Sequence, residues 1–101
     1  MARSRVRRVA VFSTEELGEF WEGLAALEGR SASASLRRGR NEVVGARGTI
    51  HVTFSTAVAV GGARFAVPDD WFFRAEWVDD EHGESINIDL GRLRLLLTVD
   101  G

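Results

Sequence analysis

A single change of hydrophobic period constrains this chain more than any other feature. Leu17, Phe20, Trp21, Leu24 and Leu27 recur at the i, i+3, i+4, i+7 spacing of one buried helical face. After Gly29 the spacing becomes two: Ala32, Ala34 and Leu36 alternate with Ser31, Ser33 and Ser35. A chain with one strongly amphipathic helix and many alternating segments must bury the helix against a sheet. The expected class is α+β. One N-terminal helix, about 14–28, packs on a curled, mainly antiparallel sheet in the order β-α-β-β-β-β-β.

The helix start is well marked. Ser13 is a good N-cap, and Glu16 stands three residues later, at the spacing of a capping box. Phe12 and Leu17 sit where a hydrophobic staple would close. Glu15 and Glu16 suit the positive end of the helix dipole. Gly29 is the expected stop. Gly18 and Gly23 each weaken the helix by about 1 kcal/mol relative to alanine. A first strand is expected over roughly 5–12, before the helix.

Beyond the helix, Arg38-Gly39-Arg40-Asn41 reads as a turn and Glu42 to Ala46 as a returning strand. Gly45 and Gly48 suggest a bulge or a second turn. Thr49 to Val60 reads as one long strand, with Ile50, Val52, Phe54, Val58 and Val60 on one face. Gly61-Gly62 is a two-residue turn signal, after which Arg64 to Val67 pairs back. Trp71, Phe73, Ala75 and Trp77 share one face of the next strand, and Phe72, Arg74, Glu76 and Val78 the other. A turn follows at Asp79 to Gly83. Ile86, Ile88 and Leu90 then form an inward row, which shifts to Leu93, Leu95, Leu97 and Val99. A β-bulge at Gly91 accounts for that shift. A rival reading starts a short helix at Asp89; the alternation of Arg92 and Arg94 with leucines favours strand.

With 101 residues and 45% hydrophobic side chains, the chain reads as one domain, 1–101, with 1–4 as a flexible basic arm. It has no cysteine, so neither disulfides nor thiolate chemistry enter. No apolar run approaches the roughly 20 residues that span a bilayer. These features lead us to expect a cytoplasmic protein with no membrane contact. All 13 basic residues are arginine, and tyrosine is absent, which excludes Schiff-base lysine, P-loop lysine and tyrosine acid–base mechanisms. Residues 1–50 carry nine arginines against six acids, and residues 51–101 four against nine. Such asymmetry speaks to partners rather than to fold.

The densest functional signal is Val67 to Asp89, with two tryptophans, two phenylalanines and eight acids balanced by Arg74 alone. Phe72 is expected to face outward beside Glu76, and Asp79, Asp80, Glu81 and Glu84 crowd the turn. Exposed aromatic anchors and a local excess of charge are what a protein-binding surface needs. We therefore expect a non-enzymatic module, of the inhibitor or immunity type, that engages a basic protein surface through Phe72, Glu76, Asp79, Asp80, Glu81 and Glu84. Two alternatives stand beside it. One is a ligand-binding protein or enzyme with a pocket between helix and sheet, lined by Trp21, Phe54, Trp71 and Trp77 with His51 at its mouth. The other is a nucleic-acid binder using Arg3, Arg5, Arg7 and Arg8 or Arg37, Arg38 and Arg40. Nucleic acid is the less expected partner, because the acidic hairpin would repel it. Homodimerisation through a sheet edge is compatible with all three.

No motif names a reaction. There is no G-x-S-x-G elbow and no G-x-G-x-x-G loop. His82 lies among Asp79, Asp80, Glu81 and Glu84, but the spacing fits neither an EF-hand nor H-E-x-x-H. We expect no catalytic residue, no metal and no cofactor.

Overall fold

In a computed structural model, residues 5–11, 13–53, 56–67, 73–80 and 83–100 are described. Among them, one helix packs on an open, curled sheet whose pairings are all antiparallel. Strand β1 (Arg5–Val11) precedes helix α1 (Thr14–Ala25). Seven strands follow: β2 (Ser31–Arg38), β3 (Asn41–Thr53), β4 (Ala57–Val60), β5 (Ala63–Ala66), β6 (Phe73–Asp80), β7 (Gly83–Asp89) and β8 (Leu93–Val99). Their order across the sheet is β1-β6-β7-β8-β2-β3-β4-β5, so β1 and β5 are the edges. The α+β class and the curled antiparallel sheet are those expected from the sequence. The strand count after the helix is seven rather than five.

The helix starts as its sequence dictates. The Glu16 N–H donates to Ser13 Oγ at 3.2 Å, and the Ser13 hydroxyl donates to Glu16 Oε1 at 3.0 Å. It ends at Ala25, earlier than the expected residue 28. Leu27 and Glu28 donate to Leu24 and Ala25, closing shorter turns, and the Gly29 N–H is taken by the Ile50 carbonyl at 2.9 Å. The Ile50 N–H returns a bond to Arg30 O at 2.8 Å. The sheet therefore captures the segment that the periodicity would have kept helical.

Phe20, Trp21, Leu24 and Leu27 are buried, and Leu17 packs at the rim of the core. Phe20 sits at the centre of four rings. Its centroid lies 4.8 Å from Phe73, 5.6 Å from Trp77 and 5.6 Å from Trp21, all edge-to-face. Such pairs add about 0.5–1.5 kcal/mol each beyond simple burial. The sheet supplies rows of apolar residues beneath them. One row runs Trp77, Ile86, Leu97, Ala34, Ala46, and the next Ala75, Ile88, Leu95, Leu36, Val44, each residue opposite its neighbour.

Two sequence expectations are corrected. The segment 49–60 is not one strand but parts of β3 and β4, which pair with each other: Ile50 opposite Val60 and Val52 opposite Val58. Both sum to the same even number, so the face assignment made for a single strand survives the fold-back. Gly91 is likewise not a bulge. It lies in the β7–β8 turn with φ 87°, where the Leu90 N–H donates to Leu93 O at 2.9 Å and the Gly91 N–H to Asp89 Oδ1 at 3.0 Å. The register places Ile88 opposite Leu95 and Ile86 opposite Leu97. Even positions of one strand face odd positions of the other, which is the physical origin of the phase shift.

Gly45 and Gly48 do not end a strand, because β3 runs through both. It pairs with β2 as far as Thr49 and with β4 from Ile50. At that junction the backbone of Gly48 meets the β4–β5 turn. A Cβ on Gly48 would lie 2.6 Å from Gly61 Cα, and one on Gly61 would lie 2.4 Å from Arg47 O. Gly61 also holds φ 59°. The close approach lets β3 leave one part of the sheet and lead into the next.

Urea denaturation should show three effects. Phe20→Ala should cost about 3–5 kcal/mol through loss of the central ring. Gly61→Ala should cost more than roughly 1 kcal/mol, since its backbone and its space both exclude a side chain. Gly18→Ala should instead stabilise by up to about 1 kcal/mol, because a Cβ there meets nothing within 4 Å.

Candidate functional site

One helix covers one face of the sheet, so the other faces outward. Its side chains form rows given by the register. Across β6, β7, β8, β2 and β3 the rows read Val78-Ser85-Thr98-Ser33-Arg47, then Glu76-Asn87-Leu96-Ser35-Gly45, then Arg74-Asp89-Arg94-Arg37-Glu42. A shallow groove of about 530 Å³ lies over β8, β2 and β3, with Ser33, Ser35, Thr98 and Arg47 among its lining. The Asn87 side-chain oxygen is buried on this face with no hydrogen-bond partner among the described residues.

The six residues expected to bind a partner do not share one face. Glu76 lies on the outer face, half-buried and opposite Asn87. Asp79 and Glu84 lie directly opposite each other near the β6–β7 turn, in the row that continues to Val99 and Ala32. Asp80 ends β6, opposite Gly83. Phe72 and Glu81 lie outside the described residues, as do Trp71, Phe54 and His82.

Basic residues from distant parts of the chain reach the acidic end. Arg30 Nη1 is 3.2 Å from Glu84 Oε1, and Arg47 Nη2 is 3.4 Å from Asp100 Oδ2. Arg30 Nη2 also donates to the Asp100 carbonyl at 3.4 Å. Asp79 is exposed and makes no ion pair among the described residues.

The opposite end gathers arginines. Arg37 and Arg94 face each other across β2 and β8, and Arg38 stands opposite Leu93. The β2–β3 turn adds Arg40 and the β7–β8 turn adds Arg92, and all five are exposed. None of the five makes an ion pair among the described residues. In the sequence Arg37, Arg38 and Arg40 form a visible basic group, whereas Arg92 and Arg94 show only the alternation of a strand. Nothing local signals that β2 and β8 are neighbours.

Of the residues expected to line a pocket between helix and sheet, Trp21 and Trp77 are buried, each edge-to-face with Phe20, and Phe54 and Trp71 lie outside the described residues. His51 is 68% exposed, with Nδ1 2.9 Å from Glu28 Oε2. The other Glu28 oxygen accepts the Val52 N–H at 2.8 Å. Glu28 thus clamps the far end of β3. The Val52 N–H is the main cause holding the Glu28 carboxyl below its ordinary 4.5. Desolvation opposes it, and the His51 ring and the Gly29 N–H reinforce it.

Among the described residues no group of three or more His, Asp or Glu is placed to hold a metal ion, and no helix is long and apolar enough to cross a membrane. Comparison with protein-family models, curated proteins and solved structures yields no match.

The clamp has a measurable consequence. A ¹³C NMR titration of the Glu28 carboxyl should give a midpoint below 4.5, and His51→Ala should raise it only in part because the Val52 bond remains. A depressed carboxylate stabilises fully above its unfolded value and loses that contribution as pH falls through the folded midpoint. A midpoint at or above 4.5 would contradict the clamp.

Proposed function

We propose that the protein is a non-enzymatic protein-binding module of the inhibitor or immunity type, which engages a basic surface on its partner through the acidic β6–β7 end. The observation that carries this reading is the cross-strand pair Asp79–Glu84. Like charges directly opposite each other destabilise a sheet, and Asp80, Asp100 and the intervening Glu81 add to the same end of the chain's charge. Arg30 pairs with Glu84, whereas Asp79 makes no ion pair among the described residues and stands opposite Arg5 of β1 in the register. A surface that keeps such repulsion is suited to a partner that relieves it. If the partner is an enzyme acting on nucleic acid, Asp79, Asp80, Glu81 and Glu84 stand in for phosphates. Glu76 belongs to a different face and takes no part, whereas Phe72 remains the proposed apolar anchor.

The test uses a partner captured on the immobilised protein at low salt and then purified. Asp79→Asn with Asp80→Asn should slow association at least several-fold and flatten its salt dependence. The same double variant should melt at an equal or slightly higher temperature, because a like-charge pair is removed. Unchanged association kinetics would reject the role of these acids. Phe72→Ala should act on dissociation instead, as loss of an anchor does.

A further inference from the structure

We infer that the arginine end of the sheet's outer face binds the phosphate backbone of nucleic acid. This surface is distinct from the acidic end and does not depend on the function proposed for it. Arg37 and Arg94 stand directly opposite each other on adjacent strands, which sets their backbones roughly 5 Å apart. Two exposed guanidinium groups held that close repel each other in the free protein. A shared anion between them reverses the sign of that interaction. Arg38, Arg40 and Arg92 extend the positive surface around the two turns.

Two acids belong to the same surface. Asp89 lies opposite Arg94 and accepts the Gly91 N–H, and Glu42 lies opposite Arg37 and accepts the Ser35 hydroxyl at 2.8 Å. Each has a hydrogen-bonding role in its own turn or strand. Five arginines against these two acids leave a local balance of about three positive charges, by the charge inventory of the residues.

The acidic β6–β7 end does not cancel this potential. From Glu84 to Asp89 the chain runs five residues along β7, which at 3.4 Å each is roughly 17 Å. The Debye length at physiological ionic strength is about 8 Å. The repulsion anticipated from the sequence is therefore screened at the arginine end, although the whole chain carries a net charge of −2.

The chemistry beside the arginines favours a phosphodiester over an acidic peptide. The adjoining groove presents the hydroxyls of Ser33, Ser35 and Thr98, and Arg47 lies at its other side. Hydroxyls and arginines together are the usual contacts to phosphate and sugar. A guanidinium matches a phosphate with two parallel hydrogen bonds. Duplex DNA carries one charge per about 1.7 Å of axis and releases condensed counterions on binding. An extended peptide cannot exceed one charge per roughly 3.3 Å, so it offers a weaker field and less counterion release. Contacts to phosphate and sugar position a protein on the duplex without reading its bases, so the expected binding is independent of sequence.

The experiment is fluorescence anisotropy of the full chain with a labelled 20-base-pair duplex of arbitrary sequence, from 20 to 200 mM NaCl. Saturable binding should weaken linearly on a log–log plot, by about 0.9 in slope per phosphate contacted. Arg37→Gln with Arg94→Gln should flatten the slope by about 1.8 and weaken binding at least tenfold at the lowest salt, with an unchanged or higher melting temperature. Arg37→Lys with Arg94→Lys should keep the slope but lose affinity, since the charge stays and the fork is lost. Asp79→Asn should leave the slope unchanged. Absence of binding at 20 mM salt would overturn the inference, as would a slope that the glutamine variant does not alter. Displacement of the duplex by polyglutamate as readily as by unlabelled duplex would overturn it too, by making an acidic protein the occupant.

Discussion

Everything else in this structure depends on the burial of Phe20 against Phe73, Trp77 and Trp21. A twelve-residue helix is marginal alone. Its stability comes from the face it inserts into the sheet, and the rings are the largest part of that face. The sheet in turn curls around the helix, with Val58, Val60, Phe65 and Val67 from one end and Phe73, Ala75 and Trp77 from the other joining one core. The close approach of Gly48 and Gly61 allows the first of these groups to come round. One helix covers only one face. The opposite face is left to water, and it is there and at the strand ends that polar chemistry is displayed.

The antiparallel registers then decide which charges meet. Asp79 and Glu84 are brought together by one hairpin, while Arg37 and Arg94 meet through a pairing between strands far apart in sequence. The result is a domain with opposite charge at the two ends of its strands. Arg30 and Arg47 temper the acidic end, whereas no described acid forms an ion pair with the five clustered arginines. On the two proposals made above, a basic protein partner and a phosphate backbone would occupy separate places without competing.

Local signals carried the local features. Ser13 and Glu16 marked the helix start, and both geometric contacts are present. Gly61-Gly62 marked a two-residue turn between Val60 and Ala63. The alternation of Trp77, Ile86, Leu97 and their neighbours located the core rows. Features that depend on distant pairing were not legible. The split of 49–60 left no trace in the hydrophobic pattern, since Ile50 and Val60 keep the same parity whether continuous or folded back. The Gly91 shift was visible, but a bulge and a turn produce the same change of phase. The helix stops short of the expected residue 28 because Gly29 and Arg30 are claimed by Ile50, about twenty residues further along, through hydrogen bonds rather than propensity. The arginine cluster was hidden for the same reason: two of the five lie on β8 and its preceding turn, three on β2 and its following turn.

The central claim is that the two ends of the sheet are separate surfaces of opposite selectivity. Backbone amide NMR of the isotopically labelled protein, titrated in turn with a short DNA duplex and with a decaarginine peptide, tests it most directly. The duplex should shift the amides of residues 37–44 and 90–94, and the peptide those of residues 79–84 and 100, with little overlap. Coincident shifts for both ligands, or shifts from the duplex centred on 79–84, would contradict it.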